Sequence, residues 1–177
     1  NTTPSAGAVL TSDANGNATW KNNRVAFRAV GIAGLQPSLP KYTPTKVHFA
    51  TEAYDLANNY ALLVRSIWPT ASQFTVPKSG VYHIDAQVVT GYLPSEDYVY
   101  ANIYVRSLRF NNVVTLAESH HYCQNGEYAV TTKISTDLQL IAGESIWIEV
   151  EQDNGSGSSS SVNGNDSFFD AHLIFEN

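Results

Sequence analysis

The residues best suited to chemistry stand together in Glu118-Ser119-His120-His121-Tyr122-Cys123, where a carboxylate, two imidazoles and the chain's single thiol are neighbours. Glu, His and Cys ligate zinc and serve as general acids, bases or nucleophiles. An extended backbone sends successive side chains to opposite faces, so Glu118 and His120 point one way and His121 and Cys123 the other. One closed metal site cannot use all four without a bend. Two further pairs, His83 with Asp85 and His172 with Asp170, imitate acid–base couples. Each pair shares the polar face of an alternating segment, where solvation and cross-strand bonding account for it. Gly-x-Ser-x-Gly, His-Glu-x-x-His and a Gly-rich phosphate loop closing on Lys-Ser/Thr are all absent from the chain. The sequence reads as a non-enzyme, with a hydrolase around His120 or His172 as the catalytic alternative.

The elements that carry these residues are strands. Ten Tyr, seven Phe and three Trp, beside abundant Val, Ile and Thr, favour pleated, half-buried segments over helices. At 177 residues and 43% hydrophobic content the chain can bury a core as one domain without disulfides or metals. A net charge of -6 with 15% charged residues leaves no basic footprint for nucleic acid. Cys123 alone excludes an internal disulfide framework and a multi-cysteine zinc site, and reads as a reduced thiol. No apolar run approaches the roughly 20 residues of a membrane-spanning helix, so no membrane insertion is expected. The chain opens at Asn1 and has no Met, as in a processed or excised piece. Asn1, Asn17, Asn154 and Asn165 begin glycosylation sequons.

Residues 1–22 are small and polar with an Asn15-Gly16 turn signal, and read as a connector or hairpin before a head spanning 23–177. From Arg24 onward, short apolar segments alternate with Gly, Pro, Asn and Ser clusters, the signature of a sandwich or barrel; helical periodicity appears only weakly, around Thr51 to Leu63. In Gly80 to Val88, Tyr82, Ile84, Ala86 and Val88 share one face. Ser145 to Glu151 puts Ile146, Ile148 and Val150 inward and leaves Trp147 on the polar side, where a loop or another subunit must cover it. In Val99 to Phe110 both faces are apolar or aromatic, which suggests a subunit interface. Ser167 to Phe175 alternates with Phe169, Ala171, Leu173 and Phe175 together, and the Gly/Ser-rich stretch Asp153 to Asp166 before it reads as a long mobile surface loop.

Gln73-Phe74-Thr75-Val76-Pro77-Lys78-Ser79-Gly80-Val81-Tyr82 resembles the Phe-x-x-Pro-x-x-Gly-x-Tyr signature of the C1q family. Leu138-Gln139-Leu140, Gly143-Glu144 and Ile146-Trp147 resemble that family's next elements, and Ser167-Phe168-Phe169-Asp170-Ala171-His172-Leu173 its terminal strand. Ala26-Phe27-Arg28-Ala29 is similar to its opening strand, so the resemblance runs from about residue 24 to the C-terminus. Ala171 replaces the usual Gly and His172 the usual aromatic, and no collagen-like repeat precedes the head. Gly80 is expected to take a positive φ for tight entry into a central strand. Gly7 to Trp20 resembles an element found before C-terminal heads of bacterial surface and tail-fibre-like proteins, implying a bacterial or phage source.

The resemblance implies an all-β jelly-roll sandwich of two antiparallel sheets, of the C1q and tumour-necrosis-factor type, in a homotrimer. The expected function is recognition or adhesion of a glycan or protein ligand by a secreted, cell-surface or virion-surface protein, or alternatively the capping of a fibre. Tyr100, Tyr104, Phe110 and Trp147 are the candidate interface rings. Tyr42, Trp68, Tyr92 and Tyr98 are the candidate ligand-binding rings, since sugar sites combine aromatics with acids and amides. Some heads of this family hold calcium near the trimer axis, and Glu96 and Asp97, with Asn102 nearby, offer hard oxygens for Ca2+.

Overall fold

The computed structural model describes residues 8–21, 24–34, 36, 38–62, 71–91, 98–109, 112–124, 129–154 and 159–177. The chain opens on a hairpin, β1 (Val9–Ser12) and β2 (Ala18–Lys21). Asp13 shapes its turn: both carboxylate oxygens accept hydrogen bonds from Asn17, and Gly16 takes φ 81°. These bonds hold the Asp13 carboxyl below its usual range.

Two antiparallel sheets follow. One runs in the order β11 (Ala129–Leu140), β8 (Gly80–Gly91), β13 (Ser161–Glu176), β3 (Ala26–Ile32), β5 (Phe49–Asp55). The other runs β10 (Asn112–Gln124), β9 (Tyr98–Arg109), β12 (Ser145–Asn154), β7 (Gln73–Thr75), β6 (Tyr60–Ala61), with β4 (Thr45–Lys46) also paired to β12. From β3 onward the chain passes repeatedly between the two sheets, with β6–β7 and β9–β10 as consecutive pairs within one sheet, giving the all-β, two-sheet jelly-roll architecture expected from the sequence.

Between the sheets the alternating faces meet. Tyr82, Ile84 and Val88 of β8 and Phe27 of β3 are fully buried against Phe74, Ile103, Val105, Ile146, Ile148 and Val150 of the other sheet. Period-two alternation puts every second residue inward, so this core was predictable from pattern alone. Phe175 departs from it: a register shift between Leu173 and Phe175 turns its ring outward, to 52% exposure.

Two sequence expectations need physical correction. Gly80 is required for space and not for a positive φ, because a Cβ there would sit 2.3 Å from the Phe175 carbonyl and 2.8 Å from Leu173 Cδ1. The Gly/Ser-rich stretch is largely strand: β12 continues to Asn154 and β13 resumes at Ser161, pairing Ser161 with Gly91 and Val162 with Thr90. Backbone pairing asks little of side chains, so small polar residues support it once a central strand lies alongside. Residues 155–158 of that stretch lie outside the described set. Asn154, which begins a sequon, is 1% exposed.

Candidate functional site

The wet side of the six-stranded sheet is built by the outward residues of β12. Cross-strand register sets Trp147 beside Arg106, Glu149 beside Tyr104, Glu151 beside Asn102 and Asp153 beside Tyr100. Each outward acid accepts a hydrogen bond from an aromatic side chain. Trp147 Nε1 donates to Glu149 at 2.8 Å, Tyr104 Oη to Glu151 at 3.2 Å, and Tyr42 Oη to Asp153 at 2.7 Å. The result is a ladder of rings and carboxylates along one strand.

Cations of the same chain lie over these rings. Arg106 stacks 4.4 Å from the Tyr104 ring centroid and donates to Glu149, while Lys46 Nζ stands 5.1 Å over Trp147. Tyr104 and Trp147 are each 8% exposed as a result. The cover that an outward Trp147 needs therefore comes from β4 of its own chain.

The far end of the face is more open. Tyr122, Tyr100 and Asp153 occupy one transverse row across β10, β9 and β12. His120 stacks on Tyr100 at 6.0 Å, and its Nδ1 donates to Asn102 Oδ1 at 2.7 Å. Tyr42 joins the row through Asp153. It has φ 55°, an unfavourable conformation for a bulky residue, and is 63% exposed. Its N–H donates to Gln152 O at 2.9 Å, and Lys41, 4.9 Å over its ring, bridges Asp153 at 2.8 Å. Backbone and side-chain contacts thus hold an exposed ring in a strained conformation, a pattern common at functional sites.

Among the candidate ligand rings, Tyr42 is thus placed on this face. Tyr98 opens β9, paired with Gln124. Trp68, Tyr92, Phe110 and the metal candidates Glu96 and Asp97 lie outside the described residues. The Asn102 amide is occupied by His120 and Tyr104, which leaves it poorly suited to calcium. Tyr122, 55% exposed, was missed by the sequence reading, although it alternates with Glu118 and His120 on the outward side of β10.

The Glu118 to Cys123 cluster divides as an extended strand requires. Glu118 and His120 approach to 3.6 Å on the outward side, and His121 Nε2 lies 2.8 Å from Cys123 Sγ on the other. Among the described residues, no group of three His, Cys, Asp or Glu is arranged to hold a metal ion. The opposite sheet absorbs the other acid–imidazole pairs. His83 lies between Asp137, at 2.7 Å, and Asp85, at 3.2 Å. Both ring nitrogens can donate to carboxylates only in the imidazolium form, and the Asp137 bond leads the rise in its pKa. Asp170 pairs with Arg28, and burial raises its carboxyl pKa against that cation's pull.

The two packed antiparallel sheets define a jelly roll of the architecture seen in C1q and tumour-necrosis-factor structures. Among solved structures, the chain is similar to the globular domain of zebrafish complement 1qA protein, with TM-score 0.57 and 17% identity over 87% of this chain and 100% of that one. It is also similar to murine APRIL at pH 5.0, with TM-score 0.60 and 11% identity over 85% and 98% of the two chains. Eiger TNF from S. frugiperda gives 0.56 and 16% over 86% and 94%. No family model and no curated protein matches the sequence. At such identities the likeness is one of fold. Its animal sources lend no support to a bacterial or phage origin. No helix among the described residues is long and apolar enough to cross a membrane.

Proposed function

We propose that this chain is a non-catalytic recognition or adhesion head of a secreted or surface protein, acting as a homotrimer and reading a glycan or protein with the outer face of its six-stranded sheet. The row of Tyr42, Tyr100 and Tyr122 beside Asp153 carries this reading. Tyrosines supply broad amphipathic contact with few rotors to order, and these project from paired strands or a pinned corner. Trp68, Tyr92 and Tyr98 complete the ligand-contacting set in this proposal, with Glu96 and Asp97 as donors should calcium bind. A bacterial or phage source rests on the Gly7 to Trp20 resemblance alone.

Trimerisation is supported by the fold likeness and by one apolar end of the molecule. In the hairpin Val9 is 57% exposed, and Leu10 and Trp20, 53% and 39% exposed, form a cross-strand pair on its other face; Ile174 and Phe175 of β13 are also exposed. Val9, Ile174 and Phe175 line a common cleft. Tyr100 and Phe110 remain candidates for the contact, while Tyr104 and Trp147 back the face from within. A fibre cap is the second reading, favoured by the same hairpin. Repetition around an axis would multiply weak single-site affinity on a patterned surface.

The test is an array of immobilised glycans and surface proteins probed with wild type, Tyr42→Ala and Tyr122→Ala. Wild type should retain a ligand that each variant loses by roughly tenfold or more, the scale of a hot-spot ring. Equal retention by both variants contradicts this assignment of the face.

A further inference from the structure

The outward side of the five-stranded sheet gathers titratable groups that the proposed recognition face does not use. His83 of β8 and His172 of β13 are directly opposite in the ladder, with ring centroids 5.3 Å apart. Asp137 of β11 stands opposite His83 on its other side, and its Oδ1 lies 2.7 Å from His83 Nδ1. Asp85, two positions along β8, places Oδ2 3.2 Å from His83 Nε2, and Ser135 Oγ lies 3.4 Å from the same nitrogen. Alternation puts His83 and Asp85 on one side of β8, and antiparallel register brings Asp137 and His172 into the row of His83.

These distances suit a metal clip. Donors on a tetrahedral zinc-like ion stand roughly 3.3 Å apart, and two imidazoles on adjacent corners have centroids roughly 5 Å apart. His83 Nε2 with Asp85 Oδ2 has the first spacing, and the His83 and His172 rings have the second. The bond between His83 Nδ1 and Asp137 is the outer contact that a ligating imidazole keeps, and it leaves Nε2 for the ion. His172 is exposed, and beyond its ring contact with His83 it has no hydrogen-bond partner among the described residues. Charge fits as well. Asp170, opposite Asp85, is paired with Arg28 of β3. Asp85 and Asp137 are then two carboxylates around two imidazoles, a group that one divalent cation neutralises. Without an ion the same carboxylates favour a proton on His83.

We propose that His83 and His172 form a two-imidazole clip for an exchangeable divalent transition-metal ion of the zinc type, with Asp85 and water completing its coordination and Asp137 orienting His83. The ion takes the place of the proton between His83 Nε2 and Asp85. The described residues hold no ready three-ligand cage, so the ion exchanges with solvent and the fold does not depend on it. The clip lies on the sheet opposite the tyrosine row and is independent of the recognition reading.

Isothermal titration of the whole chain with zinc chloride, in a non-chelating buffer at neutral pH, tests this. Wild type should bind one equivalent saturably. His172→Ala changes an exposed position and should weaken binding by roughly tenfold or more, and Asp137→Ala, which leaves both imidazoles in place, by roughly tenfold. His121 and Cys123, 2.8 Å apart on the other sheet, are a rival donor pair, so Cys123→Ser should leave the affinity unchanged. Mg2+, which prefers octahedral oxygen ligands, should give no saturable heat. Absence of saturable zinc binding, undiminished affinity in His172→Ala or Asp137→Ala, loss of binding in Cys123→Ser, or equal binding of Mg2+ overturns the proposal.

Discussion

Phe27→Ala is expected to lower the unfolding free energy by about 3–5 kcal/mol, the usual cost of truncating a fully buried aromatic. Phe27 stacks on Tyr60 at 4.8 Å and on Phe74 at 4.6 Å, and meets Phe169 edge-on at 4.9 Å. Tyr60 and Phe74 belong to one sheet, Phe27 and Phe169 to the other. Its ring is therefore the joint at which the two layers are locked, and its removal opens a void that rigid paired strands cannot close. Tyr54→Ala on the neighbouring strand, where the ring is 44% exposed, should cost less than about 1 kcal/mol. Urea denaturation of both variants makes the comparison; a Phe27→Ala cost near that of Tyr54→Ala would mean that the sheets pack elsewhere.

The second large effect is acid sensitivity from His48. Its side chain is buried, with Nδ1 3.2 Å from the Ser72 hydroxyl, and burial with the nearby Lys46 charge pushes its pKa down to about 4. An unfolded histidine titrates near 6.5. Between those values the unfolded chain binds a proton that the folded chain refuses, so stability falls as pH drops from about 7 to about 4. The shift amounts to about 3 kcal/mol at the acid end. His83 runs the other way: its raised pKa gives a contribution present below about pH 6.5 and lost as pH rises through the folded value. His48→Gln isolates the first effect, because the acidic residues and His83 are common to both proteins. The stability gap between variant and wild type should move in the variant's favour by about 3 kcal/mol between pH 7 and pH 4. A gap that stays constant across that range would show that His48 is solvated.

Much of this molecule can be read from alternation, and the reason is burial on one side. Tyr82, Ile84, Ala86 and Val88 had to share a face because the other side of β8 carries His83, Asp85 and Gln87. The same logic placed Ile146, Ile148 and Val150 inward and divided Glu118 and His120 from His121 and Cys123. Alternation fails where the backbone slips, so Phe175 is outward behind a bulge that no local residue type announces. Composition misleads where pairing is made by the main chain, as at Ser161 and Val162. Gly80 was visible as a necessary glycine, but the cause, the carbonyl of Phe175 pressing on it, comes from a strand ninety-odd positions away.

The proposed recognition face was legible in its rings and obscure in its assembly. Trp147 was recognisably outward, yet its cover by Lys46 depends on β4 pairing with β12 across a hundred residues. Tyr42 stood out as a candidate ligand-binding ring, while its strained φ and its bond to Asp153 exist only once its segment runs alongside β12. Contacts between distant segments are what one sequence encodes least directly, and loop geometry sets specificity on this architecture.

The central claim, a head that presents its recognition face three times, is tested most directly by absolute molar mass from light scattering across a dilution series. The account predicts three times the 19.3 kDa chain mass, maintained on dilution. A stable species of 19.3 kDa at every concentration would contradict it.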